Sequence, residues 1–475
     1  MGFGSFIKSR FTSRTSNNQI TTASQLTLRQ SLYPLALVTL LFLLWGFAYG
    51  LLDTLNKHFQ NTLHITRTRS SGLQAAYFGA YPLASLGYAN WMLRRWGYKP
   101  VFILGLCLYG IGALCMWPAG LKQSFGGFCG ATFVIGSGLG TLETAANPYQ
   151  AVCGPPHLAE VRINIAQGFN AIGTVIGPVL GSYVFFTDTS DSVNALKRVQ
   201  WVYLAIAIFV FLLAGVFVMS TIPEVTDADM ELQAATIQGD DDPELEKPFW
   251  KRYQVFHAAA AQFLYTGGQI AIAGYFINYA VETRPGTSNA LGAKFLAGAQ
   301  GAFAGGRFIG AFVMKKIRPR WVFLAFITAV IAFLGASSRE KGNTGIVMLF
   351  LVLFFESVCF PTIVALGIRG LGKHYKRGSG LIVAGVSGGA AIPPLLGHVA
   401  DMHNSTGYAM VVPTAVMAGA WTYAFAVNFI PTYRDLADKN GENLVTNTPD
   451  IKKDEEAGHG SVDMVETIGV DEKRT

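Results

Sequence analysis

The chain has 475 residues, of which 51% are hydrophobic and 14% charged, and its mean hydropathy is positive; this excludes an assembly of ordinary soluble domains. Its net charge of +7 would fit a nucleic-acid binder, but the basic residues sit at the ends of apolar stretches rather than in one patch, so no nucleic-acid partner is expected. Five cysteines without paired spacing, and no visible nucleophile–base pair, metal cluster or nucleotide loop, point away from an enzyme, a metal site or a bound cofactor.

In chain order, residues 1–33 carry Lys8, Arg10 and Arg14 among Ser, Thr, Asn and Gln, without a signal-peptide core, and read as a retained cytoplasmic tail. Apolar stretches of bilayer-spanning length then recur over 34–59, 72–93, 100–119, 124–149, 163–187 and 199–222. The polar segment 223–251, with GDDDPELEKP at 239–248, reads as a cytoplasmic linker. Six more spans follow at 252–281, 290–314, 320–337, 344–367, 378–401 and 407–430. The tail 431–475, rich in Asp, Glu, Lys and Gly, has too little apolar surface to fold alone, and disorder is expected after Arg434.

The expected fold is therefore an all-α membrane protein of twelve transmembrane helices in two six-helix halves, 34–222 and 252–430. Arg94, Arg95 and Lys99, then Lys315, Lys316, Arg318 and Arg320, then Arg369, Lys373, Lys376 and Arg377 fall on one side, which the positive-inside rule makes cytoplasmic together with both termini. The halves echo each other. Glu143 precedes Pro148 in the fourth span as Glu356 precedes Pro361 in the tenth, and GPVLG at 177–181 is answered by PPLLG at 393–397. Two matches at nearly one offset fit a duplicated six-helix unit.

A charged side chain at the centre of a membrane helix costs about 2.5 to 3.5 kcal/mol, so it faces a cavity or a partner. Asp53, Glu143 and Glu356 meet that description. Each is read either as a structural contact between helices or as a functional group. In the first span Trp45, Tyr49 and Asp53 recur at four-residue steps with Asn56 three later; in the fifth, Asn164, Gln167 and Asn170 recur at three-residue steps, with Thr174 four further on. In the seventh, Gln262, Tyr265 and Gln269 form one row and Tyr275, Asn278 and Glu282 another. Asn147, one turn after Glu143, joins the candidate binding set. Single amides of this kind can be interhelical glue. Rows of amides, phenols and carboxylates beside aromatic rings fit a sugar, which needs donors, acceptors and a flat apolar face. An organic cation would use the carboxylates and rings, and a phosphate would want in-span arginines, of which Arg307 is nearly the sole candidate.

LLWGFAYGLLDTLNKHFQ at 43–60, GLGTLETAANPYQAVCGP from 138 and RINIAQGFNAIGTVIGPVLG through 181 closely resemble the fucose permeases, the fucose/proton symporters of the major facilitator superfamily. GGQIAIAGYFINYAVE at 267–282, GRFIG at 306–310 and PTIVALGIRGLG at 361–372 extend the resemblance over almost the whole membrane part. It implies two intramembrane carboxylates, Asp53 and Glu143, for proton coupling and sugar binding, and amides Gln167 and Asn170 on a central cavity. Gln269, Tyr275 and Glu282 match seventh-helix residues, with Gln269 placed for substrate. The chain departs from the bacterial pattern at Tyr49, Gly50 and Leu52, at Ala273, and at Glu356, where that pattern is apolar; these changes bear on which monosaccharide fits. The superfamily's cytoplasmic charge motif is also degraded, with Arg94 where an aspartate would stand.

The chain is thus expected to be a monomer that carries out proton-coupled symport of a monosaccharide, fucose-like or another hexose, by alternating access across the plasma membrane, with proton and sugar as partners within a lipid bilayer. Glu143 is the expected proton carrier, beside a turn loosened by Pro148 and facing Asp53 across the sugar, while Trp45, Tyr49, Asn56, Asn147, Gln167, Asn170, Gln269, Tyr275 and Glu356 complete the substrate set. The alternatives are a proton-driven exporter of organic cations or drugs and a non-transporting sugar receptor.

Overall fold

The computed structural model describes residues 26, 28–153, 159–180, 183, 193–224, 248–314, 316–371 and 374–446. Most of the expected linker, 225–247, the segment 1–25 and the tail 447–475 lie outside the described residues. Twelve helical crossings are present among the described residues. The first half contains α1 (Leu28–Thr62), a second crossing built from α2 (Arg67–Ser70), α3 (Gly72–Gly79) and α4 (Ala89–Trp96), then α5 (Tyr98–Leu121), α6 (Phe125–Val152), α7 (Ala159–Leu180) and α8 (Val193–Met219). The second half contains α9 (Tyr253–Thr283), α10 (Asn289–Met314), α11 (Pro319–Ser337), a tenth crossing split into α12 (Gly342–Glu356) and α13 (Cys359–Ile368), an eleventh in α14 (Tyr375–Ala384) and α15 (Gly388–His403), and a twelfth formed by the short α16 (Thr406–Ala409) and α17 (Val411–Phe429). A final helix, α18, covers Pro431–Thr446.

Among the described residues, eight stretches are long and apolar enough to span a bilayer by length and composition. The second crossing is interrupted by a π-helical turn at Leu83–Tyr88, where Gly87 is non-helical. Helices α7, α9 and α10 carry the polar rows and Arg307, so their composition is less apolar. The crossings alternate in direction, so Arg94, Arg95 and Lys99 share one end, called here the basic end, with Arg318, Arg320 and Arg369.

Close packing within each half repeats the same device. A methyl group at Gly46 or Gly50 of α1 would meet the backbone of Asn170 or Thr174 in α7, and one at Gly173 or Gly177 would meet α1 in return. In the second half, Gly267 of α9 meets Gly388 of α15, and Gly385 meets Ala259. Glycine is required at these contacts because lipid supplies no hydrophobic drive between helices, and backbone approach supplies the dispersion contact. The glycines belong to corresponding first-and-fifth and seventh-and-eleventh crossings, as a duplicated unit predicts.

The proline pair behaves differently in the two halves. Helix α6 runs unbroken through Pro148, packed along α5 by Gly105 against Gly138 and Gly112 against Ile135. The tenth crossing does break, between Glu356 and Cys359. Pro361 has no N–H for the Ser357 carbonyl, and Arg307 Nε fills that role at 3.1 Å. The Glu356 carbonyl accepts from the Tyr265 hydroxyl at 2.7 Å. These two outside donors stabilise the break.

At the basic end, α18 departs from the expected disorder after Arg434. Asp438 accepts from Arg318 at 3.0 Å and from Arg320 Nε at 2.9 Å, and the Tyr433 hydroxyl lies 3.2 Å from His257 Nδ1. Those contacts supply the anchorage that composition alone did not reveal. Glu224 accepts the main-chain N–H groups of Tyr98 at 2.8 Å and Lys99 at 3.4 Å, capping α5. Lys376 of the second half lies 5.7 Å from the Tyr98 ring centre beside it.

Candidate functional site

The site is built where the two halves meet. A central cavity of about 40 Å³, room for about three waters, lies between α1, α3 and α7 on one side and α9, α10, α13 and the eleventh crossing on the other. The site is therefore contracted. Of the residues singled out in the sequence, Trp45, Tyr49, Gln167, Asn170 and Gln269 line it, together with Thr174 and Thr266. Trp45 stands edge-on to Phe360 and Tyr49 edge-on to Phe78, each ring pair fixing an aromatic wall. The Tyr49 hydroxyl is buried without a hydrogen-bond partner among the described residues.

Arg307 closes one side of this cavity. Its Nη1 donates to the Gln167 carbonyl, to Gln167 Oε1 at 2.7 Å and to Asn170 Oδ1 at 3.3 Å. Its guanidinium carbon lies 4.6 Å from the Phe303 ring centre. One cation of the second half is thus solvated by the amides of the first.

The three intramembrane carboxyl groups occupy distinct surroundings. Asp53 is fully buried, and neither of its oxygens has a hydrogen-bond partner among the described residues. It points toward the place where Gly274 of α9, Gln74 and Asn56 converge; a methyl group at Gly274 would lie 3.7 Å from Asp53 Oδ1 and 2.8 Å from Gln74 Nε2. Glu143 is 2% exposed and receives Asn147 Nδ2 on Oε1 at 3.4 Å, with Tyr77 and Tyr81 beside it. Glu356 is 1% exposed and interacts electrostatically with Asp53 and Arg307. It is thus Glu356, rather than Glu143, that interacts electrostatically with Asp53, while Glu143 lies beside Tyr77 and Tyr81 of the second crossing. Glu143, Asn147, Asp53 and Glu356 lie behind the cavity wall in this conformation.

Asn56 and Tyr275 belong to a different contact. Asn56 Nδ2 donates to the Gly274 carbonyl at 2.7 Å, and the Tyr275 hydroxyl donates to the Arg67 carbonyl at 2.7 Å. Arg67 in turn pairs with Glu282 at 2.6 Å and with Asp401 at 3.6 Å, while Asn278 donates to Gln60 at 2.7 Å. These bonds join the halves at the end opposite the basic one, which is closed. The side chain of Asn164 lies outside the described residues.

The family model of the Major Facilitator Superfamily matches residues 35–394. The chain belongs to this superfamily. It is 32% identical over 413 residues to the L-fucose-proton symporter of Escherichia coli (strain K12), a match covering 83% of this chain and 93% of that protein. It is likewise 32% identical over 374 residues to a glucose/galactose transporter of Brucella abortus biovar 1 (strain 9-941), covering 78% of this chain and 88% of that protein. Among solved structures it is similar to the superfamily transporter FucP in the outward conformation, with a TM-score of 0.64, 30% identity, and coverage of 83% of this chain and 98% of that one. A D-xylose-proton symporter at 14% identity and a TM-score of 0.64 shares the fold. These relatives are transporters rather than enzymes.

Within this major facilitator fold, sequence reasoning underweighted Arg307 and missed Gln74. In the sequence Arg307 stands out as an in-span cation suited to a phosphate, and its bonds to Gln167 and Asn170 emerge only from the packing of the two halves. Gln74 carried no periodic signal, since the second crossing is broken and its amide is aimed by tertiary packing against Gly274.

Proposed function

We propose that this chain is a proton-coupled monosaccharide symporter that works by alternating access. The observation that carries the reading is the contracted cavity between the halves, where Trp45 and Tyr49 offer ring faces and Gln167, Asn170 and Gln269 offer amide donors and acceptors. Aromatic faces cover the apolar side of a pyranose, and amides match its hydroxyls without demanding a charge. The kinship with fucose and glucose/galactose transporters supports the same substrate class.

The basic end faces the cytoplasm under the positive-inside rule, with both termini there, and the plasma membrane is the proposed location. The protein acts as a monomer, since each chain contributes both halves of its own cavity. The proton enters from the outside when the Arg67 contact is open. A carboxyl group that is buried without a compensating cation is held more cheaply neutral than charged, which suits Glu143 to carrying a proton. Asp53, next to the interface with Gly274, binds sugar hydroxyls once the halves part and shares in the proton linkage. Rocking of the halves then exposes the cavity to the cytoplasm.

The test is uptake of labelled L-fucose, D-glucose and D-galactose into proteoliposomes with and without an inward proton gradient. Gradient-driven accumulation of at least one sugar is expected. Gradient-driven loss of an organic cation, with no sugar movement, would instead establish an exporter, and saturable sugar binding without accumulation a receptor.

A further inference from the structure

Arg307 stands between two cavities. One is the central cavity; the other has about 440 Å³ accessible to the centre of a water molecule and lies toward the basic end, lined by Ile163, Phe308, Phe312, Pro361, Ala365 and Arg369 among others. Arg307 lines both. Its guanidinium bridges the halves there, holding Gln167 and Asn170 of α7 with Nη1 and the Ser357 carbonyl with Nε. This bridge stands where the two cavities adjoin, and the amides it holds are the ones proposed for the sugar.

Glu356 adjoins that bridge through Ser357, the next residue. It is buried, its Oε2 has no hydrogen-bond partner, and among the described residues it forms no ion pair with Arg307, although the two interact electrostatically. An arginine that spends its donors on amide oxygens beside a buried carboxyl group is the arrangement of a neutral carboxyl. An ionised one would draw the guanidinium to itself, because a buried charge without its counter-ion carries an uncompensated desolvation penalty. The groups facing Glu356 are Tyr49 and Asp53 of α1, Tyr265 of α9, Arg307 of α10 and Cys359 of its own crossing. Arg307 is the one cation among them.

We propose that Glu356 is a positioning residue whose ionisation moves Arg307, and that this movement opens the route from the central cavity to the basic end. The inference rests on the proton-coupled sugar symport reading and deepens it. While Glu356 is protonated, Arg307 bridges to Gln167 and Asn170 and the route is shut. When the proton leaves toward the basic-end cavity, the guanidinium crosses to the carboxylate, the amides are released and the sugar can pass. Opening of the route is thereby tied to loss of the Glu356 proton, beside the transported proton assigned to Glu143.

The test needs no sugar, so its failure is separable from failure of the symport reading. Val386, which lines the central cavity, is replaced by cysteine in a cysteine-free background, and a thiol reagent is presented to the basic end in inside-out vesicles. Labelling, expressed relative to the rate of a free model thiol at the same pH so that the thiolate fraction cancels, should rise about tenfold from about pH 5.5 to about pH 8.5, the response of a titrating gate. Glu356→Gln should hold labelling at the low-pH rate throughout, Glu356→Asp should keep the pH response, and Arg307→Met should hold labelling at the high rate throughout. Should Glu356→Gln fail to fold, Arg307→Met and Glu356→Asp still decide. The proposal is overturned if Glu356→Gln keeps the wild-type pH response, if Asp53→Asn abolishes it while Glu356→Gln does not, or if labelling of Arg307→Met stays low.

Discussion

Arg67 and Glu282 meet at 2.6 Å across the two halves, and Glu282 also accepts the Thr406 main-chain N–H at 2.7 Å. The pair closes the end opposite the basic one. Its side chains are 19% and 25% exposed, so the pair contributes about 1 kcal/mol, with the surrounding bonds adding a comparable amount. Glu282→Gln should therefore shift the population toward the state open at that end by about tenfold or less. The check is the labelling rate of a cysteine placed in the central cavity and probed from that end in right-side-out vesicles. An unchanged rate would mean that the pair is surface decoration.

The crossing of α1 and α7 predicts a graded response to added methyl groups. Gly46→Ala places a methyl against the Asn170 backbone and should lower stability by about 1 to 3 kcal/mol, read as a reduced melting temperature in detergent. Gly215 has nothing within 4 Å of an added methyl, so Gly215→Ala should be neutral or stabilising by up to about 1 kcal/mol. Equal effects of the two would contradict the packing argument.

Pro361→Ala restores an N–H that competes with Arg307 for the Ser357 carbonyl. The tenth crossing should straighten and Arg307 lose one anchor. We expect the maximal transport rate to fall severalfold, by about 1 kcal/mol of lost positioning, while the affinity for sugar changes less. A change confined to affinity would place Pro361 at the sugar rather than at the hinge.

Asp53→Asn removes a carboxylate but keeps the shape of a group enclosed by Gly274 and Gln74. The variant should fold, and its sugar uptake should lose most of its dependence on the proton gradient. Gly274→Ala, by contrast, would push a methyl toward Gln74 and hold the halves apart, so it should impair closure of the end opposite the basic one. Sugar counterflow separates the two effects, since it needs movement of the halves but no net proton transfer.

Much of the fold was legible in the sequence because membrane insertion writes itself as apolar length. The duplicated Glu-and-Pro pattern pointed to two halves, and the close glycine approaches between α1 and α7 and between α9 and the eleventh crossing repeat in both. Helical spacing also placed Trp45, Tyr49, Gln167, Asn170 and Gln269, which share the cavity wall. What spacing does not encode is contact between halves. Glu356 near Asp53, Arg307 on Gln167, and Tyr275 on the Arg67 carbonyl all depend on how helices distant in sequence are set against one another. Nor does composition report a helix such as α18, whose anchorage comes from Asp438 on Arg318 and Arg320.

The central claim is that proton flow drives sugar accumulation through a buried carboxyl group, and Glu143→Gln tests it most directly. Purified protein in proteoliposomes is given a labelled monosaccharide, with and without an inward proton gradient, and uptake is compared with counterflow at equal pH. The account predicts that wild type concentrates the sugar while Glu143→Gln retains counterflow and fails to concentrate it. Gradient-driven accumulation that survives unchanged in Glu143→Gln would contradict it.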